Sequence, residues 1–170
     1  AEFSKTYGNL LPVAKERVIS PAHKETLKLG ERVLTFLDTP GHARHHFCVF
    51  DESSKGFFTG DTFGLAYQEL TNENGPFLFP TTTPVQFDPE ALKNSIKLLL
   101  EYAPQRMFLT HYGVLDNPAS HGDRLLTQVD ELVALAKKVA KVCEPSSDEY
   151  VGLLNKTLMA YFLQNLEKHE

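Results

Sequence analysis

Three apolar, β-rich runs in this chain each end at a side chain that can bind a metal ion. The runs end in Thr39-Pro40-Gly41-His42, in Thr59-Gly60-Asp61 and in Leu109-Thr110-His111. Rigid strand ends aim such side chains, and the small or turn-forming residues beside them leave room for a substrate. Two imidazoles and one carboxylate suit zinc or iron. The sequence therefore predicts part of a metal site at the strand ends of an α/β scaffold.

Each of these three residues also has an ordinary structural explanation when taken alone. His42 fits a turn histidine, Asp61 fits a helix cap or an Asx-turn, and His111 fits a hydrogen-bonded core histidine. The metal site is favoured because the same arrangement occurs three times with complementary ligand types. For the same reason, the least favoured interpretation of the chain is an α/β binding module in which these residues are only structural.

Length, charge and cysteine content narrow the class of protein. The chain has 170 residues, enough for one domain or for a large part of a bigger one. Its 17 Lys and Arg stand against 22 Asp and Glu without a basic stripe, so nothing favours a nucleic-acid partner. Cys48 and Cys143 are too few for a disulfide framework, which makes the cytoplasm the expected compartment. No apolar stretch has membrane-spanning length, so no membrane association is expected.

Strands are predicted in the first half of the chain and around the last motif. Two hairpins are indicated by paired apolar runs: 27–30 with 32–37, and 46–50 with 57–59. A further strand is predicted over 106–110. The segment Gly75 to Pro84 cannot form a regular helix, because Pro80 and Pro84 each lack a backbone donor. Its aromatic residues favour an ordered irregular loop.

Three helices are predicted in the second half. The first begins at Asp88-Pro89, with the aspartate as N-cap, and buries Leu92, Ile96, Leu99 and Leu100. The second covers about 122–141. The third opens at Ser146, which has capping-box spacing with Glu149.

Taken together, the motifs resemble the later ligand motifs of the metallo-β-lactamase fold superfamily, in the form of the glyoxalase-II-like hydrolases. The runs that carry the resemblance are Thr39 to His46, Phe58 to Gly64 and Leu109 to Gly113. The resemblance implies an α/β fold: the second half of an αβ/βα sandwich, with a mixed sheet backed by helices. It places a partial domain of this family over residues 1–142 and a C-terminal helical extension over residues 143–170.

The same resemblance implies roles for the three candidate ligands. His42 becomes a ligand of a first metal ion, Asp61 a carboxylate bridging two ions, and His111 a ligand of the second, so two ions of zinc or iron are expected in a complete site. In such sites the metal lowers the pKa of bound water, and the resulting hydroxide attacks an ester, thioester, amide or phosphoester.

Aromatic and histidine residues next to the ligands are assigned secondary roles. Phe63 and Tyr112 flank ligands and are expected to line a substrate pocket. His45 does not correspond to a ligand position. His46 either supports the ligands through a hydrogen bond or packs in the strand, and packing is slightly favoured.

One signature of the family does not occur in this chain. No His-x-His-x-Asp-His string is present, although that motif supplies the remaining ligands. We therefore expect a hydrolase that is complete only with a missing N-terminal half or a second chain. The alternative is a truncated, non-catalytic half-domain that binds metal weakly or not at all, and that forms a homo-oligomer or associates with a partner.

Overall fold

A computed structural model describes residues 8–9, 11–82, 86–145 and 147–169. After a 3-10 turn at Lys15–Arg17, its elements are β1 (Thr26–Leu29), β2 (Arg32–Asp38), β3 (Phe47–Asp51), β4 (Gly56–Phe58), β5 (Leu65–Asn72), β6 (Gly75–Phe79), α1 (Pro89–Glu101), β7 (Arg106–Leu109), β8 (Gly113–Asp116), α2 (Pro118–Val139) and α3 (Asp148–Glu167). The architecture is α/β, with a mixed sheet backed by helices, as the sequence predicted.

Six strands form one sheet in the order β1-β2-β3-β4-β7-β8, and β5 pairs with β6 separately. Neighbours in the large sheet are antiparallel except β4 and β7, which are parallel. Since β2 and β4 both run antiparallel to β3, the strands β2, β4 and β7 all point the same way. Their C-terminal ends consequently lie at one edge of the sheet, and these are the ends that carry the three motifs.

Helices α1 and α2 cover one face of the large sheet and form the core with it. Alternate residues of the strands point to this face. The sheet contributes Leu37, Phe50, Phe57 and Met107, and the helices contribute Leu92, Ile96, Leu99, Leu125 and Val129. The predicted stripe of α1 is confirmed at three of its four positions, since Leu100 is only half-buried.

The opposite face of the large sheet is also apolar, and no described helix covers it. The strand registers align one row of side chains across five strands: Phe36, Val49, Phe58, Phe108 and Val114. Phe58 is 50% exposed and Val114 is 56% exposed. A sheet face of this kind is normally covered by another layer.

Several local predictions are confirmed and some are wrong. Both early hairpins form, and α1 has Asp88 as N-cap with a proline in its first turn. The segment Gly75–Phe79 is a strand of the β5–β6 hairpin rather than an irregular loop, because its cross-strand pairing satisfies the backbone. The N-cap of α3 is Ser147. Ser146 and Pro84 lie outside the described residues.

The C-terminal helix packs on the small hairpin. The Phe162 ring lies 5.3 Å from that of Phe77 and 5.2 Å from that of Phe79, both in edge-on arrangements. Beyond the helix end, the His169 carbonyl accepts hydrogen bonds from the side chains of Asn72 and Asn74. The hairpin thus links the extension to the rest of the chain, while the boundary at 142/143 stays a prediction.

Over the described residues, none of the helices has the length and hydropathy to cross a bilayer.

Asp88→Ala is expected to lower the free energy of unfolding by about 1 kcal/mol. The Asp88 carboxylate accepts a hydrogen bond from the Ala91 amide at 3.0 Å, and that amide has no partner within the helix. Urea denaturation measures the change. Asn94→Ala, at an exposed position of the same helix, is the control and should leave stability unchanged or slightly raised. Equal effects of both changes would contradict the capping role.

Candidate metal centre

The three predicted ligands lie together beyond the shared edge of the sheet. His42 follows β2 by four residues, Asp61 follows β4 by three, and His111 follows β7 by two. His42 Nε2 lies 3.4 Å from Asp61 Oδ2, and His111 Nε2 lies 3.1 Å from Asp61 Oδ1. The carboxylate therefore stands between two imidazoles, each facing a different oxygen.

One oxygen of this carboxylate is buried without a hydrogen-bond donor. Asp61 Oδ1 is shielded from solvent and has no hydrogen-bond partner among the described residues, although His111 Nε2 lies 3.1 Å from it. A buried carboxylate oxygen without a donor is costly unless a cation balances it. Imidazole nitrogens and a carboxylate are donors that zinc and iron both accept. The chemistry of these residues therefore fits a divalent cation.

The described residues do not by themselves complete a metal site. Among them, no group of three or more His, Cys, Asp or Glu side chains is arranged to hold a metal ion. His42 and His111 approach different oxygens of Asp61, so the described residues place one imidazole nitrogen and one carboxylate oxygen on each side. Catalytic zinc usually takes three protein ligands. The assignment of the three residues as metal ligands stays a prediction.

His46 supports the loop that carries Asp61. Its Nε2 accepts a hydrogen bond from the Asp61 amide at 3.0 Å, and its Nδ1 lies 3.1 Å and 3.0 Å from the hydroxyls of Thr39 and Thr62. Because Nε2 accepts this hydrogen bond, Nδ1 must carry the hydrogen of the neutral ring. Burial, followed by the nearby His42, lowers the pKa of His46 and favours that neutral form. Packing was slightly favoured from the sequence, and the hydrogen bonds show that support is the better description.

Gly60 makes this contact sterically feasible. Its φ is +50°, and a Cβ added there would lie 2.4 Å from His46 Nε2.

The Cys48 thiol continues the hydrogen-bond chain from Thr39. The Thr39 hydroxyl donates to Cys48 Sγ, and the thiol donates to the Thr59 carbonyl, each at 3.2 Å. Burial raises the pKa of Cys48 to about 11, so the protonated thiol serves as a hydrogen-bond donor.

The threonines of this site were not predicted from the sequence. Thr39 and Thr62 flank His46, and the Thr81 hydroxyl donates to the Asp61 carbonyl at 2.5 Å. The available signal was the presence of a threonine in each of the three motifs. Phe63 is fully buried in the core and does not line a surface pocket, since the Gly60 to Gly64 turn directs it inward. Tyr112 is 47% exposed beside His111 and packs on Tyr67, with ring centroids 5.0 Å apart.

Fold and site together define an α/β protein with a histidine–aspartate centre at the edge of a mixed sheet. Comparison with known proteins gives the family. Residues 3–111 match the model of the metallo-beta-lactamase superfamily, and the chain belongs to that superfamily.

Two relatives show how much of such a protein this chain represents. It is 33% identical over 110 residues to the metallo-beta-lactamase fold-containing protein ST1585 of Sulfurisphaera tokodaii, covering 64% of this chain and 38% of that protein. The crystal structure of the archaeal protein ST1585 from Sulfolobus tokodaii matches with a TM-score of 0.54 at 23% identity, covering 98% of this chain and 59% of that one. The crystal structure of the metallo-beta-lactamase family protein TTHA1429 from Thermus thermophilus matches with a TM-score of 0.51 at 18% identity. This match covers 69% of this chain and 37% of that one. The chain thus spans less than two thirds of each relative.

Proposed function

We propose that this chain supplies the later ligand set of a binuclear, metal-dependent hydrolase acting on an ester, thioester, amide or phosphoester. His42 would hold one ion and His111 the other, and the Asp61 carboxylate would be shared between them. The observation that carries the proposal is the Asp61 carboxylate, which lies between two imidazoles and keeps one buried oxygen without a donor. Bound zinc or iron supplies Lewis-acid polarisation of the scissile group and lowers the pKa of water.

The residues around this centre hold and orient it. The neutral His46 ring fixes the Asp61 backbone from one side, and the Thr81 hydroxyl holds its carbonyl from the other. This support keeps the carboxylate between the two imidazoles, as outer partners of metal ligands commonly do. Tyr112, half-exposed beside His111, is placed to contact a substrate.

The remaining ligands come from a further polypeptide layer. Two observations support this part of the proposal. The relatives are much longer than the matched region. In addition, the sheet face that carries Phe36, Phe58 and Val114 is apolar and uncovered by the described helices. A second layer on this face would bury it and bring further donors to the neighbouring edge.

His111→Ala tests the proposal in the chain purified together with whatever polypeptide accompanies it. Elemental analysis with intact mass should give close to two metal ions per assembly for the wild type and about one fewer for the variant. Hydrolysis of a thioester substrate should fall by at least roughly 100-fold, because a lost ligand costs more than a lost outer partner. His45→Ala, an exposed histidine of the His42 loop, should change neither quantity.

The alternative function, a half-domain that associates without catalysis, predicts a different result. Its supporting observation is the same apolar sheet face. In that case the purified assembly carries no stoichiometric metal, and His111→Ala leaves both metal content and hydrolysis unchanged. That outcome would overturn the hydrolase proposal.

A further inference from the structure

A groove of about 690 Å³ lies between the β5–β6 hairpin, α2 and α3. Leucine, methionine and aromatic side chains provide most of its lining: Leu65, Leu70 and Phe79 from the hairpin, and Leu158, Met159 and Phe162 from α3. Volume and composition are typical of small-molecule pockets, which are mainly apolar with few polar groups. The lining residues that carry polar groups are Tyr67, Glu69, Thr82 and Asn155.

Specific contacts hold the two walls of this groove in place. Phe162 packs edge-on against Phe79, so one aromatic pair joins the walls. The Tyr161 hydroxyl donates to Glu131 Oε2 at 2.6 Å, which ties α3 to α2. Leu132, on the following position of α2, is buried at the base of the groove. The groove is therefore formed before any ligand enters it.

One end of the groove adjoins the candidate metal centre. Thr82 lines the groove, and the preceding residue, Thr81, donates its hydroxyl hydrogen bond to the Asp61 carbonyl. Tyr67 also lines the groove, and its ring packs on Tyr112, which follows a predicted metal ligand. Two independent contacts thus join the groove to the loops that carry the metal centre.

We propose that this groove binds the hydrocarbon chain of the substrate, so that the substrate class is an ester or thioester with a long acyl or alkyl group. This inference rests on the proposed hydrolase function. An apolar chain gains free energy from leaving water along the groove, while its polar end lies toward the loops of Asp61 and His111. Each buried methylene should tighten binding about fourfold.

The groove can be tested without any metal. In the EDTA-treated 170-residue chain, 1-hexanol, 1-octanol and 1-decanol compete with the neutral fluorescent probe N-phenyl-1-naphthylamine. Each two-carbon step should lower the concentration needed for displacement roughly 15-fold. Neutral alcohols are used instead of fatty acids because the Asp61 carboxylate of the centre would repel a second carboxylate.

A matched pair of variants on α3 ties this binding to the groove. Met159 is 59% exposed and lines the groove, whereas Leu163 is 49% exposed and is not among its lining residues. Met159→Glu should weaken decanol binding roughly tenfold, because a charge at the wall opposes an apolar ligand. Leu163→Glu should change it by less than about twofold, and Met159→Leu should keep wild-type binding. Equal effects of Met159→Glu and Leu163→Glu on decanol binding, or no effect of either, would overturn the groove assignment.

A second measurement separates this inference from the hydrolase proposal. In the metal-loaded assembly, kcat/KM for p-nitrophenyl esters should rise from hexanoate to decanoate, and Met159→Glu should abolish that rise. Hydrolysis that does not depend on chain length would overturn the groove inference and leave the hydrolase standing. Selective decanol binding without any hydrolysis would instead overturn the hydrolase proposal.

Discussion

Replacing Gly41 by alanine is expected to destabilise the chain by about 3 kcal/mol or more. Gly41 has φ +134°, and a Cβ added there would lie 2.2 Å from the Leu92 amide nitrogen and 2.3 Å from its Cα. The obstacle is the backbone of α1, which cannot turn aside as a side chain could. Backbone strain and overpacking each cost about 1–3 kcal/mol, so the two effects together are large.

The effect should also reach the candidate centre, because Gly41 precedes His42. The Gly41 carbonyl accepts from the Asp88 amide at 2.8 Å, and the Ser95 hydroxyl donates to the Pro40 carbonyl at 2.7 Å. Helix α1 therefore fixes the backbone that places the imidazole.

Urea denaturation measures the loss of stability, with Gly152→Ala as the control. Gly152 lies on α3 with no atom within 4 Å of an added Cβ, so its replacement should stabilise by about 0.5–1 kcal/mol. A Gly41→Ala variant within about 1 kcal/mol of wild type would show that the contact with α1 is not fixed.

The second large effect is expected for Asp61→Asn, which should remove both metal ions from the assembly. An amide keeps the shape of the side chain but lacks the charge between His42 and His111. Since the carboxylate is proposed to serve both ions, its loss should lower metal affinity by more than the roughly 10–100-fold typical of an outer partner. His111→Ala should remove only one ion.

Stability of the metal-free chain distinguishes this role from a structural one. Asp61 Oδ1 has no hydrogen-bond donor within the described residues, so Asp61→Asn should change the free energy of unfolding by less than about 1 kcal/mol. Asp116→Asn, at an exposed carboxylate of β8, is the control for charge alone and should retain full metal content. Two metal ions per assembly in the Asp61→Asn variant would rule out a bridging role.

Local signals in the sequence predicted the regular elements well. The hairpins were marked by paired apolar runs, and α1 was marked by the Asp88-Pro89 start and the stripe around Ile96. The start of α2 at Pro118 was missed, because its first turn, before the apolar stripe, is polar and small. Strand β6 was missed because Pro76 lies within it and Pro80 directly follows it. A short strand in a two-stranded pair tolerates prolines at these positions.

Within the site, what could be predicted was the identity of the candidate ligands. Their placement beside one another needed the strand order, which no local pattern contains. The role of His46 depended on Gly60 and Asp61, fourteen and fifteen residues away, and the burial of Phe63 depended on the turn that carries it.

Periodicity, capping and residue chemistry were enough to predict the α/β class, the early hairpins and the three side chains that end the apolar runs. The tertiary arrangement was needed to show that β2, β4 and β7 share a direction and so bring His42, Asp61 and His111 to one edge. It also decided which sheet face lies uncovered and where an apolar groove meets that edge. Such features depend on contacts between residues far apart in the chain, which local preferences do not specify.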